Sequence, residues 1–133
     1  MKPTPLVSAI YCNFNHGKYL EQCFEGLLRQ NYKNFELLIT DDGSTDDSRS
    51  IIERYAARDE RIKPLFFEKN QGIAAANNAS LFRASGDYLC LGACDDFVIS
   101  EDFLVMPWPP WKPVATCRYI MGFVGYIRRK PGS

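Results

Sequence analysis

The sequence predicts an α/β protein with a Rossmann-like, three-layer α/β/α architecture built around a mainly parallel sheet. Short apolar runs alternate with helix-periodic stretches over roughly the first hundred residues, in the order β-α-β-α-β-α-β. Polar segments, two of them acid-rich, follow three of the apolar runs, as expected when parallel strands end at one shared edge. A length of 133 residues, with 46% hydrophobic and 24% charged residues, suits one compact domain.

The first strand is predicted over residues 5–12, "PLVSAIYC", because this apolar run ends abruptly at the polar segment "NFNHG". A helix over about residues 18–30 follows, since apolar side chains recur there at i, i+3, i+4, i+7 and i+8. These side chains are Leu20, Cys23, Phe24, Leu27 and Leu28. The second predicted strand is "NFELLIT", residues 34–40.

A second helix is predicted to begin at Asp46 and Asp47, because carboxylates accept hydrogen bonds from the free N–H groups of a first helical turn. Its apolar side consists of Ile51, Ile52, Tyr55 and Ala56. "IKPLFFE" predicts the third strand, in which Pro64 favours an edge strand or an early position. "NQGIAAANNASLFRAS" predicts a loop and an alanine-rich helix that ends near Gly86, and "DYLCLGA" predicts the fourth strand.

Three polar segments should meet at one edge of this sheet, namely "NFNHG", "DDGSTDD" and "CDDF". Ligands of doubly wound sheets bind at that edge, where the strand order switches. Residues 43–47 are typical of a turn and a helix start. Asp41 and Asp42 are different, because adjacent like charges favour a nearby cation, a donor-rich ligand or a basic partner. With the second pair, Asp95 and Asp96, they form a candidate oxygen-ligand site for Mg²⁺ or Mn²⁺.

Charge and hydropathy argue against several classes of function. Sixteen Lys and Arg balance sixteen Asp and Glu, so a general electrostatic affinity for nucleic acid is not expected. The absence of a signal-peptide pattern and of a run of about 18 apolar residues predicts a cytoplasmic protein with no transmembrane segment. The five cysteines are expected to be reduced, with Cys12 and Cys90 as small apolar side chains. A zinc site built from His16, Cys90 and Cys94 is disfavoured.

The character of the sequence changes after about residue 105. Four prolines and both tryptophans of the chain lie within "MPWPPWKPV", which excludes a regular helix. Residues 1–105 are therefore predicted to form the folded domain. Residues 106–133 are predicted to form an atypical Pro/Trp-rich tail that is extended or disordered.

Three stretches resemble the start of family 2 glycosyltransferases with the GT-A fold. They are "VSAIYCNFNHGKYLEQCFEGLLRQNYKNFELLITDDGSTDDS", "RIKPLFFEKNQGIAAANN" and "ASGDYLCLGACDDF". Four separated motifs occur in the family's order, over about residues 5 to 105, which is far more specific than "DDGS" alone. The resemblance implies that residues 1–105 form the nucleotide-sugar-binding half of a GT-A domain. Because the family continues well past "ACDD", the chain is expected to be truncated or frameshifted.

The resemblance implies roles around the nucleotide base. Cys12 and Asn13 would border the base at the end of the first strand, and Asn15 belongs to the same binding segment. Asp42 would accept a hydrogen bond from the N3–H of a uracil-type base. Asp41 would support the loop and the nucleotide.

The resemblance also implies roles around the sugar and the diphosphate. Asn70 and Gly72 would shape the loop over the ribose and the diphosphate. Asp95, with Asp96 beside it, would ligate the Mg²⁺ or Mn²⁺ that bridges the diphosphate. Two positions depart from the family pattern. Ala93 stands where the DxD element often begins with Asp, and Asn77, a nucleotide-binding candidate or a surface residue, stands where many members have Arg.

The function that the resemblance implies is metal-assisted transfer of a sugar from a UDP-type nucleotide-diphosphosugar to the hydroxyl of a saccharide or lipid-linked acceptor. No catalytic general base is identifiable in the sequence. The alternative is a truncated, non-catalytic module that binds the nucleotide or nucleotide sugar. A receiver domain is disfavoured, because it would need an acid pair after the first strand, where residues 12–15 read "CNFN". A homo-oligomer and peripheral attachment to a membrane are left open.

Overall fold

The computed structural model describes residues 5–94 and 126–128. In chain order the elements are β1 (Val7–Asn13), α1 (Gly17–Leu28), β2 (Phe35–Asp42), α2 (Ser48–Arg58), β3 (Ile62–Phe67), α3 (Ile73–Arg83), β4 (Tyr88–Ala93) and β5 (Tyr126–Arg128). The predicted alternation from β1 to β4 is confirmed, with the ends of the elements displaced by a few residues. The displacement that matters most is in β2, whose last two residues are Asp41 and Asp42.

The sheet has the strand order β3-β2-β1-β4-β5. The first four strands are parallel, and β5 pairs antiparallel with β4. The predicted, mainly parallel sheet is therefore confirmed. Among the described strands β3 lies at the edge of the sheet, so Pro64 has no second strand there that would need its missing N–H. β5 comes from the segment predicted to be a tail, and the domain boundary at residue 105 stays a prediction.

Helices cover both faces of the sheet, because the chain reverses direction across it. It moves from β1 to β2 to β3 through α1 and α2, and then returns past β1 to β4 through α3. Because each crossover is right-handed, crossovers that run in opposite directions across the sheet place their helices on opposite faces. The core beneath α1 and α2 includes Ala9, Tyr11, Leu20, Phe24, Leu37, Ile39 and Ile52. Alternate strand residues, Ile10 and Leu38, pack on the other face against Leu81 and Ala84 of the α3 segment.

Glu36 is buried near the N-terminal edge of the sheet, where it joins three strands to the segment before β4. Its Oε1 accepts hydrogen bonds from Ser8 Oγ at 2.6 Å, Ser85 N at 2.8 Å and Ser85 Oγ at 3.0 Å. Its Oε2 accepts from Lys63 Nζ at 2.7 Å. Burial raises the pKa of Glu36, but these hydrogen bonds outweigh burial and lower the pKa from 4.5 to about 2.

We expect Glu36→Gln to lower the free energy of unfolding at neutral pH by about 2 kcal/mol, because charge-assisted bonds are lost and an amide group replaces the carboxylate beside Lys63. A carboxyl whose folded pKa lies below its unfolded pKa stabilises the fold above about pH 4.5. That contribution is lost as the pH falls toward 2. Urea unfolding between these pH values should therefore show a shallower acid destabilisation in the variant.

Glu60→Gln is the matched control, because Glu60 is exposed. The control should retain both the stability and the pH dependence of the unaltered chain. Parallel stability curves for the unaltered chain and Glu36→Gln across the acid range would contradict the prediction.

Candidate nucleotide-binding site

An open cleft of about 420 Å³ lies at the C-terminal edge of the sheet. The strand order reverses there between β1 and β4, which is where doubly wound sheets bind their ligands. The ends of β1, β2 and β4, the loop before α3 and the first turn of α3 all contribute to it. Five of the residues predicted from the sequence line the cleft together: Cys12, Asn13, Asp42, Asn70 and Gly72.

Asp42 holds the loop that forms one wall of the cleft. Its carboxylate is buried, with an exposed fraction of only 3%. Oδ1 accepts a hydrogen bond from Gln71 N at 2.7 Å, and Oδ2 accepts one from Gly72 N at 3.0 Å. Gly72 has a φ of +97°, a conformation that side-chain-bearing residues rarely adopt. The strand end and the glycine together fix residues 70–72 at the start of α3.

Asp41 is bonded within the turn that follows β2. Its Oδ1 accepts from Asn13 Nδ2 at 2.8 Å and from Ser44 Oγ at 2.6 Å, and its Oδ2 accepts from Ser44 N at 3.2 Å. Asn13 lies directly opposite Asp41 in the register of β1 and β2. Asp41 therefore connects the end of β1 to the "DGS" turn.

The two adjacent carboxylates receive hydrogen bonds from the protein itself. Asp41 is bonded to a side-chain amide, a hydroxyl and a backbone N–H, and Asp42 is bonded to two backbone N–H groups. Hydrogen bonds from these donors offset part of the repulsion between the two adjacent negative charges. The sequence led us to expect that a cation, a ligand or a basic partner would offset the repulsion between these carboxylates. The chain's own donors provide part of that compensation.

Asn15 and Asn77 do not line the cleft. Asn15 has a φ of +55°, and its Oδ1 accepts hydrogen bonds from Thr45 N at 2.8 Å and Asp46 N at 3.3 Å. It therefore links the loop after β1 to the turn after β2. Asn77 is half-buried on α3. Asp95 and Asp96 lie outside the described residues, and Cys94, which precedes them, lines the cleft.

Asp46 joins the N-termini of two helices, which the sequence indicated only in part. Its Oδ1 accepts from Ser48 N at 3.0 Å, in the first turn of α2, as a carboxylate at a helix start was expected to do. Its Oδ2 accepts from Gly17 N at 2.9 Å, in the first residue of α1. Burial raises the pKa of Asp46, but the hydrogen bonds from Ser48 and Gly17 outweigh it and lower the pKa. Asp47, the residue before α2, makes no capping bond through its side chain.

Several residues that line the cleft were not predicted individually as site residues, although Phe14 and His16 lie in "NFNHG" and Cys94 lies in "CDDF", two segments predicted at this edge. They are Phe14, His16, Ile73, Ala76 and Cys94. Phe14 and Ile73 are 43% and 68% exposed, which is high for large apolar side chains. The sequence offered one indication of Phe14 and Ile73 as lining residues: each is a large apolar residue inside an otherwise polar segment, "NFNHG" or "NQGI".

The described residues do not by themselves form a metal centre. Within residues 5–94 and 126–128, no group of three or more His, Cys, Asp and Glu side chains could hold a metal ion. The four cysteines of this part, Cys12, Cys23, Cys90 and Cys94, form no disulfide with one another. Cys90 packs with Val7 and Phe35, as expected of a small apolar side chain. The fit of Mg²⁺ or Mn²⁺ therefore depends on Asp95 and Asp96.

A doubly wound α/β sheet with a cleft at its switch point is typical of nucleotide-binding proteins. Over residues 8–106 the chain matches the description "Glycosyl transferase family 2". The chain therefore belongs to glycosyltransferase family 2. Among the helices of the described segments, none combines the length and the apolar character needed to cross a bilayer.

A relative from Haemophilus influenzae, named "Uncharacterized glycosyltransferase", is 43% identical over 97 residues, which are 73% of this chain and 39% of that protein. TarS 1–349 of S. aureus in complex with UDP-GlcNAc superimposes with a TM-score of 0.67 and 29% identity, over 74% of this chain and 28% of that chain. The mannosyltransferase PcManGT of Pyrobaculum calidifontis, in complex with GDP-Man and Mn²⁺, shares the fold. Its TM-score is 0.71 at 24% identity, over 77% of this chain and 31% of that chain. The present chain thus spans less than half the length of each of these proteins.

Proposed function

We propose that this chain is the donor-binding half of a glycosyltransferase that transfers a sugar from a UDP-type nucleotide-diphosphosugar to an acceptor hydroxyl. The observation that carries the proposal is the cleft at the switch point, where Asp42 holds the loop of residues 70–72, in a chain of family 2. The UDP-GlcNAc complex of TarS supports a UDP-type donor.

We assign the base to the part of the cleft formed by Cys12, Asn13 and Asp42. Each oxygen of the Asp42 carboxylate already accepts one backbone N–H, and each keeps a second lone pair for a ligand. We assign Asn70 and Gly72, which line the same cleft, to the ribose and diphosphate region. Asp41, Asn15 and Asn77 lie outside the cleft lining, and the first two support the binding loops through the bonds described above.

The diphosphate needs a positive charge that the described lining does not contain. No Lys or Arg is among the described residues that line the cleft, whereas the carboxylate of Asp42 is. We therefore propose that Asp95 and Asp96 hold Mg²⁺ or Mn²⁺ beside Cys94. A bound divalent ion would act there as a Lewis acid that stabilises charge on the departing diphosphate.

The proposed chemistry is attack of an acceptor hydroxyl on the anomeric carbon, with departure of the nucleoside diphosphate and removal of the hydroxyl proton by a general base. The acceptor is proposed to be a saccharide or a lipid-linked saccharide. The role of the chain's own residues in this scheme is to hold and orient the donor. No general base is assigned.

A second candidate function is binding of the nucleotide sugar without transfer. It is favoured by chain length, because the chain spans 39% of the Haemophilus relative and 28% of the TarS 1–349 chain. The donor cleft is within the described part, whereas the described part offers no assigned general base. Binding and turnover must therefore be measured separately.

Calorimetric titration of the chain with UDP, with and without Mn²⁺, tests the proposal. We expect UDP to bind, Mn²⁺ to tighten binding, and Asp95→Asn to abolish the Mn²⁺-dependent part. The matched control Asp47→Asn, at an exposed residue, should bind like the unaltered chain.

An unchanged Mn²⁺ effect in Asp95→Asn would rule out the metal assignment. Failure of every nucleoside diphosphate to bind would rule out the donor site itself. Release of UDP from UDP-sugars in the presence of saccharide acceptors would support transfer. Tight binding with no release would favour the second candidate.

A further inference from the structure

We propose that α3 and the loop of residues 70–72 form one unit that opens locally, and that a ligand in the cleft stabilises its closed state. The first part stands on the packing of α3 alone. The second part rests on the proposed function, because it needs a ligand that occupies the cleft. The unit acts as a gate of the donor cleft, in which ligand binding and the order of α3 are linked.

α2 and α3 are matched helices that differ in what they bury. Each has 11 residues and an arginine in its last turn, and neither has a side-chain hydrogen bond at its N-cap. α2 buries the large side chains of Ile51, Ile52 and Tyr55, whereas the buried residues of α3 are Ala76 and Ser80. Burial of one large apolar side chain contributes more than the whole range of helix propensity among ordinary residues. The higher alanine content of α3 therefore does not compensate for its weaker packing.

The large apolar side chains of α3 do not make up this difference. Ile73 and Phe82 are 68% and 89% exposed. Leu81 is half-buried and packs against Ile10 and Leu38 of the sheet. Opening of α3 therefore exposes less additional apolar surface than opening of α2. Regions with few buried apolar contacts open locally at a lower free energy than the rest of a protein.

Polar contacts between α3 and the sheet are modest. Ser80 Oγ lies 2.6 Å from Thr40 Oγ1 of β2, and both hydroxyls are buried. Near the end of the helix, Arg83 Nη2 lies 3.4 and 3.5 Å from two carbonyl oxygens of β3, which is long for a hydrogen bond. A neutral hydroxyl pair contributes less than the burial of three large side chains. These contacts therefore do not restore the stability that α3 lacks relative to α2.

The first turn of α3 connects this opening to the cleft. Gly72, Ile73 and Ala76 line the cleft, and Ala76 N donates to Gly72 O at 3.1 Å. In the closed state the carboxylate of Asp42 accepts from Gly72 N at 3.0 Å. When α3 opens, the bond between Ala76 and Gly72 is lost, and this wall of the cleft loses its shape. A ligand that contacts the wall binds the closed state more tightly and therefore shifts the population toward it.

Amide hydrogen exchange of the unaltered chain, measured by NMR with and without UDP and Mn²⁺, tests the proposal. Without ligand, we expect the amides of α3 to exchange at least about tenfold faster than those of α2, after correction for intrinsic rates. At a UDP concentration of about a hundred times the calorimetric Kd, exchange in α3 should slow about a hundredfold, because the unit opens only after the ligand leaves. Equal exchange in α2 and α3 would overturn the local opening. A ligand effect below about twofold in α3 would overturn its link to the cleft.

Ala79→Gly tests whether the loop and the helix open as one unit. Ala79 is half-buried in α3 and lies outside the cleft lining. Glycine in the helix interior should speed exchange in α3 about fivefold. In a single unit, Gln71 N and Gly72 N should speed up by the same factor. Ala57→Gly, at an exposed residue of α2, is the matched control and should leave these amides unchanged.

Unchanged exchange at Gln71 and Gly72 in Ala79→Gly would mean that the loop opens separately from α3, and the proposed unit would be overturned. Failure of every nucleoside diphosphate to bind would remove the proposed function and with it the ligand-linked part of the inference. The rates without ligand would then still decide whether α3 opens locally, so the two failures are distinguishable.

Discussion

Asp42→Ala is expected to weaken UDP binding about tenfold to a hundredfold, which is the largest effect on ligand affinity that we anticipate from one side chain. Loss of one charge-assisted hydrogen bond to the base corresponds to roughly 1.5–3 kcal/mol. The variant also removes both acceptors that hold Gln71 N and Gly72 N. The loop of residues 70–72 would then lose its connection to β2, and one wall of the cleft would lose its fixed position.

Two measurements separate these contributions. Calorimetry gives the change in UDP affinity, and amide hydrogen exchange at Gln71 and Gly72 reports the freedom of the loop. Asp42→Asn should fall between the unaltered chain and Asp42→Ala, since the amide keeps one acceptor oxygen but places an NH₂ group against a backbone donor. Asp47→Ala, at an exposed residue, serves as the control. A UDP affinity within twofold of the unaltered chain in Asp42→Ala would exclude the contact with the base.

The elements of the fold were predictable because their signals are local. Short apolar runs predicted β1 to β4, the period of the apolar residues predicted α1 and α2, and alanine content predicted α3. Pro64 favoured an edge strand or an early position, and β3 lies at the edge of the described sheet. The shared edge for the polar segments also followed from the parallel sheet, and five predicted residues meet in one cleft. These inferences need only near neighbours in the chain and the handedness of crossovers.

The hydrogen-bond partners within the site could not be read from the sequence, because they are far apart in it. Asp42 is paired with amides 29 and 30 residues away, and Asn13 reaches Asp41 across 28 residues. The acid pair therefore looked as though it needed an external charge, when nearby turns supply donors. Which of two adjacent carboxylates lines the cleft and which holds the turn depends on the alternation of side chains at the end of β2.

The roles of Asp46 and Glu36 were hidden for the same reason. Asp46 has the sequence signature of a helix start, yet it also bonds Gly17 at the start of α1. Glu36 is a single acid in an apolar strand, and its partners come from β1, β3 and the segment before β4. Sequence position indicates a carboxylate's local role, whereas the fold decides which distant donors surround it.

Gly43→Ala is expected to lower the free energy of unfolding by about 2–4 kcal/mol, the largest stability loss we anticipate from adding one methyl group. Gly43 has a φ of +71°, which an L-residue adopts only at a cost. An added Cβ would also lie 2.5 Å from Asn70 N and 2.6 Å from Lys69 C. These are backbone atoms that no rotamer change can move, so the turn after β2 and the loop before α3 must separate. UDP affinity should fall with stability, because the same separation pulls Gly72 N away from Asp42.

Gly17→Ala is the matched control. The added Cβ would lie as close to its nearest atom as at Gly43, but we expect a smaller loss of stability. A Cβ there would lie 2.5 Å from Asp47 Oδ1, the end of a side chain that makes no capping bond and can rotate aside. Asp46 Oδ2, at 2.9 Å, is also a side-chain end and needs only a small shift that keeps its bond to Gly17 N. Gly17 also begins α1, where alanine is the better helix former, so we expect a loss below about 1 kcal/mol. Urea unfolding of both variants measures the difference. Equal losses would mean that the close backbone approach at Gly43 does not hold the two loops together, and the fixed position of residues 70–72 would then need another cause.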